Sequence, residues 1–338
     1  MAKLFLAALT LALTWSSVNA AEPTTGTFAI VQKIRGPDGQ WDYAFVDAAA
    51  RRLYIARSYG VMIIDLQTGQ LSPLSVPGDE VHGVAQVDNS TVLASTNGAT
   101  GMVTLFDGRT GASIANIKAG TDPDAIVFEP STHMLVVANH SGGDLTVIDP
   151  LKRAAAVTIA VGGTLEFEAT DGAGLVYVNV TEKNAVAAVD VAKRKLLRLI
   201  SLPDCEEPTG LAYDRAARRL MAVCVNGRAV VIDVAAGRAV ASVETGKVPD
   251  AAIWDSERRL LFVPSYLAGT LTVVSLPLHA AARVVQVLAT QVGTRTGALD
   301  PRTGRIYLPT SKLIPPKKAG DYPTPVAGTF EVLVVARH

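Results

Sequence analysis

Apolar residues along most of this chain come in short runs rather than long helical stripes. Between residues 125 and 162 the runs read AIVFEP, MLVVANH, LTVIDP and AAVTIAVG, rich in Val and Ile and closed by Gly, Asp, Asn or Pro. Short β-branched runs bounded by turn formers predict strands joined by hairpins. No stretch after the first 20 residues keeps a persuasive helical period. The four-run unit also repeats. MIIDLQTG, VTLFDGRTG, LTVIDPLKR, VAAVDVAKR and AVVIDVAAG close their third strands at Asp65, Asp107, Asp149, Asp190 and Asp233, and LTVVSLPLH puts Ser275 in the same place. The step is about 42 residues, the spacing of four-stranded propeller blades.

A last copy, FEVLVVARH, follows an insertion from Ser311 to Gly328 and supplies three strands. An unassigned strand near the start, TFAIVQKIRG at 27–36, resembles the fourth strand of the other units. The expected fold is therefore all-β: a seven-bladed β-propeller of four-stranded antiparallel blades, closed by the N-terminal strand completing the last blade. Such closure leaves no gap between first and last blades.

The first residues stand apart. Met-Ala-Lys3 precedes an apolar stretch from Leu4 to Trp15 and a run of small residues up to Ala20. The apolar stretch falls short of the roughly 20 residues that span a bilayer and reads as a secretory signal peptide, residues 1–20, with Ala21 the alternative cleavage point. Residues 21–338 are then expected to form a single exported, periplasmic propeller. Export permits Cys205 and Cys224 to pair. The loop so closed is worth about 3 kcal/mol on chain-entropy grounds; the alternative is two buried thiols side by side. Charge narrows the partners: 31 basic and 31 acidic residues leave no basic stripe for a phosphate backbone, so nucleic acid ranks last among them.

Propeller geometry places the first strand of each blade along the central channel. Aligned on the closing acids Asp47, Glu129, Asp171, Asp214, Asp255 and Asp300, the position five residues upstream holds Asp42, Asp124, Glu166, Thr209, Asp250 and Arg295. Blade two has no such acid but sets His82-Gly83 at that level, and Glu206 and Glu207 stand at the same rim. The expected ligand-binding residues are Asp42, His82, Asp124, Glu166, Glu207, Thr209, Asp250 and Arg295. Crowded carboxylates raise one another's pKa or take a cation. Oxygen donors suit Ca²⁺ or Mg²⁺, and His82 admits a transition metal, so a divalent metal at the channel mouth is the cofactor this pattern suggests. Arg295 would take a carboxylate or phosphate. Each acid alone also has a simpler role, fixing a turn through nearby N–H groups, as in the repeated Pro123-Asp124 and Pro249-Asp250.

Other features have plainer readings. Asn97, Asn139, Asn179 and Asn226 follow the second strands and suit turn capping. His140 belongs to the rim, and Trp41 and Tyr43 either stack on a ligand or pack between blades. The insertion carries Lys312, Lys317 and Lys318, placed to hang over the acidic ring. Arg-Arg-Leu recurs at 51–53, 218–220 and 258–260, at turns of the opposite face, where solvated, stabilising arginines are expected. The chain has no CxxCH, P-loop, GxSxG or HExxH motif.

The segments GQWDYAFVDAAARRLYIAR, STNGATGMVTLFD, LEFEATDGAGLVYVN, CEEPTGLAYDRAARRLMAVCVN and TRTGALDPRTGRIYLPT resemble the YncE-like, YVTN-repeat propellers of bacterial envelopes. The resemblance spans essentially everything after the leader, with CEEPTGLA and the Trp-Asp-Tyr start its most specific parts. It implies a periplasmic seven-bladed propeller and no established reaction. The chain departs from that pattern at Leu165-Glu166-Phe167, Ser265-Tyr266 and Gly293-Thr294-Arg295-Thr296. The leading expectation is a monomeric propeller without catalysis that binds a small polar ligand or an envelope protein through the mouth. One alternative is a metal-dependent hydrolase resembling propeller lactonases, using Glu166, Asp124, Asp250 and Asn179. Another is handling of a haem or quinone redox cofactor, since related propellers carry haem d1 or accompany quinone-cofactor dehydrogenases.

Overall fold

The strands alternate with tight turns along the whole described chain, residues 26–315 and 323–338 of a computed structural model. The leader expected at 1–20 lies outside these residues. Seven four-stranded antiparallel sheets form the ring. Blade 1 runs Trp41–Asp47, Arg52–Arg57, Gly60–Asp65 and Gln70–Pro77, innermost to outermost, and blades 2 to 6 repeat it. Among the described residues the only helical pieces are two 3₁₀ turns, Gly98–Thr100 and Thr181–Lys183. No described helix is long and apolar enough to cross a membrane.

Blade 7 takes Ala298–Asp300, Arg305–Thr310 and Glu331–Arg337 from one end of the chain, and Phe28–Arg35 from the other. Phe28 pairs with Arg337 and Arg35 with Glu331. The ring is thus closed by backbone hydrogen bonds, as the unassigned strand foretold.

Burial explains the composition of the strands. The two middle strands of a blade are covered on both faces and read as unbroken apolar runs; Arg52–Arg57 and Met134–Asn139 are buried almost throughout. Outer strands such as Lys195–Ser201 face solvent and bury little beyond Ile200. Seven apolar clusters result, one between each pair of adjacent blades. Val136, Leu145 and Val147 of blade 3, for example, meet Val176, Val178 and Val189 of blade 4. The core is a ring of seven sheet-to-sheet interfaces around a polar channel.

Cys205 and Cys224 are bonded, with Cα atoms 5.3 Å apart, and no described cysteine is free. The bond ties the turn entering blade 5 to that blade's second strand, and points to folding in an oxidising compartment.

The Arg-Arg-Leu turns correct an expectation. Arg51 and Arg259 are not solvated: their side chains are 13% and 18% exposed, and they reach across blade boundaries to Asp300 and Asp214. A turn residue placed beside a neighbouring blade's buried carboxylate gains more from that partner than from water.

Candidate functional site

One backbone device builds the channel mouth. The innermost strands of blades 1, 3, 4 and 5 lose register at equivalent places: between Trp41 and Ala44, Pro123 and Ile126, Leu165 and Glu168, and Pro208 and Leu211. The residues inside these bulges are Asp42-Tyr43, Asp124-Ala125, Glu166-Phe167 and Thr209-Gly210. A bulge bends the strand and re-aims a side chain. In blade 6, Pro249 bridges to Ser265 and the strand resumes only at Ile253, which leaves Asp250 in the gap.

Hydroxyl groups hold these bulges against the next blade. Thr96 Oγ1 donates to the Asp124 carbonyl at 2.7 Å, Thr209 Oγ1 to that of Pro249 at 2.9 Å, and Thr296 Oγ1 to that of Asp42 at 2.7 Å. Approach is closest at Gly83 and Gly210. A Cβ on either would stand 2.7 Å from the carbonyl of Asp124 or Asp250, so only glycine fits. Val248, on the wall beside Pro249, has φ of 54°, a strained geometry for a β-branched residue.

The bulges surround a cavity of about 330 Å³. Asp42, His82, Asp124, Glu166, Thr209, Asp250 and Arg295 all line it. Glu207 does not: its side chain is exposed, its backbone N–H is held by Asn184 Oδ1 at 2.9 Å, and the loop carries the carboxylate away from the channel. Thr209 is committed through its hydroxyl to Pro249, so its part in the ring is structural.

Charge in this cavity is unbalanced. Among the described residues, Asp42, Asp122, Asp124, Glu166 and Asp250 face Arg295 and the imidazoles of His82 and His140. The Arg295 guanidinium donates to the Trp41 carbonyl at 2.5 Å and lies 3.7 Å from Asp250. Burial pushes the Asp124 carboxyl well above the usual range, reinforced by Asp42 and opposed by His82. Glu166 is raised for the same reason, with Asp124 and Asp250 adding repulsion. Burial lifts Asp250 to about 6 against the pull of Arg295. Burial works against the charged form of His82, but its hydrogen bond to Asp42, with Asp124 and Asp122 behind, carries it up to about 9.

Several wall residues were not expected as binding groups. Asp122 precedes Pro123, and an acid on either side of that proline was the signal for it. His140, expected at the rim, sits with Nδ1 2.9 Å from the Leu165 carbonyl and 3.3 Å from Glu166 Oε1. Tyr266 also lines the cavity. The Tyr43 ring packs edge-on against Phe167 of blade 4, and its hydroxyl donates to Glu166 at 3.4 Å. Trp41 packs on Phe330, and its indole N–H has no partner among the described residues.

Below the ring, Glu168 is fully buried, and neither carboxylate oxygen reaches a well-formed hydrogen bond. Burial holds its carboxyl well above the usual range, and the backbone groups of Val127 and Ala138 offset this only in part. Its sequence signal was a lone acid where other inner strands have Ala44, Ile126 and Leu211.

The asparagine ring caps turns. Asn97 accepts from the Asp79 amide, Asn139 from that of Gly120, and Asn226 donates to the Asp204 carbonyl. Asn179 donates to the Thr209 carbonyl at 2.6 Å and does not line the cavity. The insertion forms a small hairpin, Leu313–Ile314 with Thr324–Pro325, and brings Leu313 and Pro323 to the cavity edge. Lys312 is exposed and off the wall, and Lys317 and Lys318 lie outside the described residues.

Among the described residues two trios could hold a metal ion: Asp42, His82 and Asp124, and Asp124, His140 and Glu166, each with donor atoms within 4.8 Å of one another.

No family model and no curated protein matches the chain. Among solved structures it is similar to the hydrazine synthase of Kuenenia stuttgartiensis, with a TM-score of 0.70 and 15% identity over 79% of this chain and 91% of that one. It is also similar to U3-55K, with a TM-score of 0.76 and 9% identity over 90% of this chain and 98% of that one. The WD40 repeats of RRP9 match equally, at 0.76 and 9%, over 90% and 97%. At these identities the likeness establishes the seven-bladed propeller fold alone.

Proposed function

We propose that residues 21–338 form a periplasmic, YncE-like binding propeller, exported by the leader at 1–20 and without chemistry of its own. It takes a small polar ligand with a cationic centre through the channel mouth. One observation carries this reading: five carboxyl groups converge on a cavity where, among the described residues, the one arginine is already engaged by Trp41 and Asp250 and His82 by Asp42. Burial and mutual repulsion raise Asp124, Glu166 and Asp250, and a cationic ligand would favour their charged forms. A cavity of about 330 Å³ is at the small end for organic ligands and suits a compact amine or a coordinated ion. Trp41, Tyr43 and Tyr266 add aromatic faces that favour a cation. Of the departures from the YVTN-type pattern, Ser265-Tyr266 brings Tyr266 to this wall, which supports a ligand of this chain's own.

The hydrolase alternative would use Glu166, Asp124 and Asp250, but Asn179 is committed to the Thr209 carbonyl. Haem or quinone handling draws no support from so acidic a wall.

The test is thermal shift on chelator-treated protein with small primary and quaternary amines, and separately with divalent cations. Binding should raise Tm in the parent protein, and Asp124→Asn with Asp250→Asn should abolish the shift. A flat response to every cation, or an undiminished shift in the double variant, refutes the reading.

A further inference from the structure

Asp42, His82 and Asp124 come from the inner edges of three successive blades. His82 Nδ1 lies 2.8 Å from Asp42 Oδ2 and 3.7 Å from Asp124 Oδ1. Donors bonded to one first-row ion at about 2.0–2.2 Å stand roughly 3 Å or a little more apart, so the trio needs little rearrangement to enclose one. Asp124 supplies an independent sign of a missing partner. Its side chain is 9% exposed and lines the cavity, yet among the described residues no N–H or O–H group donates to its carboxylate. Buried carboxylate oxygens ordinarily accept hydrogen bonds. The support is rigid: Thr296 and Thr96 hold the carbonyls of Asp42 and Asp124, and the His82 carbonyl accepts the Tyr43 amide at 3.1 Å.

We propose that Asp42, His82 and Asp124 bind one divalent first-row transition-metal ion at the channel mouth. The inference rests on the mouth being a binding site, and it names the cationic centre. An imidazole nitrogen with two carboxylates selects Zn²⁺, Ni²⁺ or Cu²⁺ over Ca²⁺ and Mg²⁺. Three protein donors are also what a metal site keeps when it leaves a position for an incoming ligand, and the cavity lies beside them. The trio of Asp124, His140 and Glu166 ranks second, because His140 Nδ1 is turned to the Leu165 carbonyl at 2.9 Å.

The experiment uses untagged protein, stripped with chelator, dialysed and titrated calorimetrically with Zn²⁺, Ni²⁺ or Ca²⁺ alone. Elemental analysis of the dialysed complex gives stoichiometry. One transition-metal ion per chain is expected, with Ca²⁺ binding about 100-fold more weakly. His82→Gln and, separately, Asp42→Asn should each weaken binding about 10- to 100-fold, while His140→Gln should stay within about two-fold of the parent. Circular dichroism melts confirm that each variant is folded. Substoichiometric uptake, Ca²⁺ binding as tight as Zn²⁺, or equal losses in His140→Gln and His82→Gln would overturn the site. Amine binding without metal uptake would sink this inference and leave the binding reading standing; failure of both removes both.

Discussion

Both ends of the channel carry a ring of acids, and they treat them in opposite ways. At the face away from the mouth, each closing acid caps its own hairpin. Asp47 accepts from the Ala49 and Ala50 amides, Glu129 from Ser131 and Thr132, and Asp255 from Glu257 and Arg258. The next blade then adds a donor: Gln86 to Asp47, the Gly174 amide to Glu129, Arg259 to Asp214 and Arg51 to Asp300. Burial alone would raise the Asp300 and Glu129 carboxyls, but Thr303 with Arg51, and Thr132 with Ser131, bring both below the usual range. At the mouth, among the described residues, no backbone amide caps the acids, the contacts to Glu166, Asp124 and Asp250 are long, at 3.3–3.7 Å, and all three carboxyls are raised. The far rim spends its acids on stability. The mouth holds its acids at a cost, which is the usual signature of a site kept for something other than folding.

The largest effect should come from breaking the far rim. Arg51→Ala leaves the fully buried Asp300 without its cation and should destabilise by about 3 kcal/mol in urea unfolding. At the mouth the sign reverses. Asp124→Asn should stabilise the chelated protein by about 1–2 kcal/mol at pH 8 while abolishing ligand binding. A destabilisation like that of Arg51→Ala would erase the contrast between the two rims.

The pH dependence sharpens it further. A carboxyl raised to about 6 in the folded state binds its proton more tightly there than when unfolded. Its contribution to stability is therefore greatest below the ordinary carboxylate range and falls as pH rises to about 6. Across pH 4 to 6 the parent should lose about 2 kcal/mol relative to Asp250→Asn in matched unfolding curves. His82 acts with the same sign higher up: its contribution is complete below about 6.5 and is lost as pH climbs through about 9. Asp300 and Glu129 oppose both, losing their contributions in acid. The smallest effect is expected at Glu168→Gln, under about 1 kcal/mol at pH 7, because burial raises that carboxyl and so favours the neutral form that the amide replaces. A gain well above that would show that Glu168 is ionised in the fold.

Much of the mouth was legible because a propeller turns a sequence offset into a ring. Asp42, Asp124 and Glu166 share one position relative to their closing acids, and that position proved to be a β-bulge. Where the offset ran into a loop, legibility ended. Glu207 lies two residues before Thr209, on the turn that Cys205 anchors, and its side chain goes to solvent. His140 and Tyr266 follow second strands in other blades and reach the wall only because those strand ends also converge on the mouth. The Arg-Arg-Leu turns were placed on the correct face, but Arg51 and Arg259 were given the wrong surroundings, since their partners belong to other blades.

The sequence by itself determined the number of blades, the order of strands within them, closure by Phe28–Arg35 and most of the membership of the mouth ring. All of these follow from a local period of β-branched runs and turn residues, read between near neighbours in the chain. Only the tertiary structure decided which acids would have a donor and which would not, and that Leu313 and Pro323 would edge the cavity. A carboxylate's charge state depends on groups a few ångströms away, and here those groups come from different blades. Arg51 meets Asp300 across a separation of 249 residues, and Tyr43 meets Glu166 across 123. No periodicity along the chain specifies such encounters, because they exist only once the ring has closed.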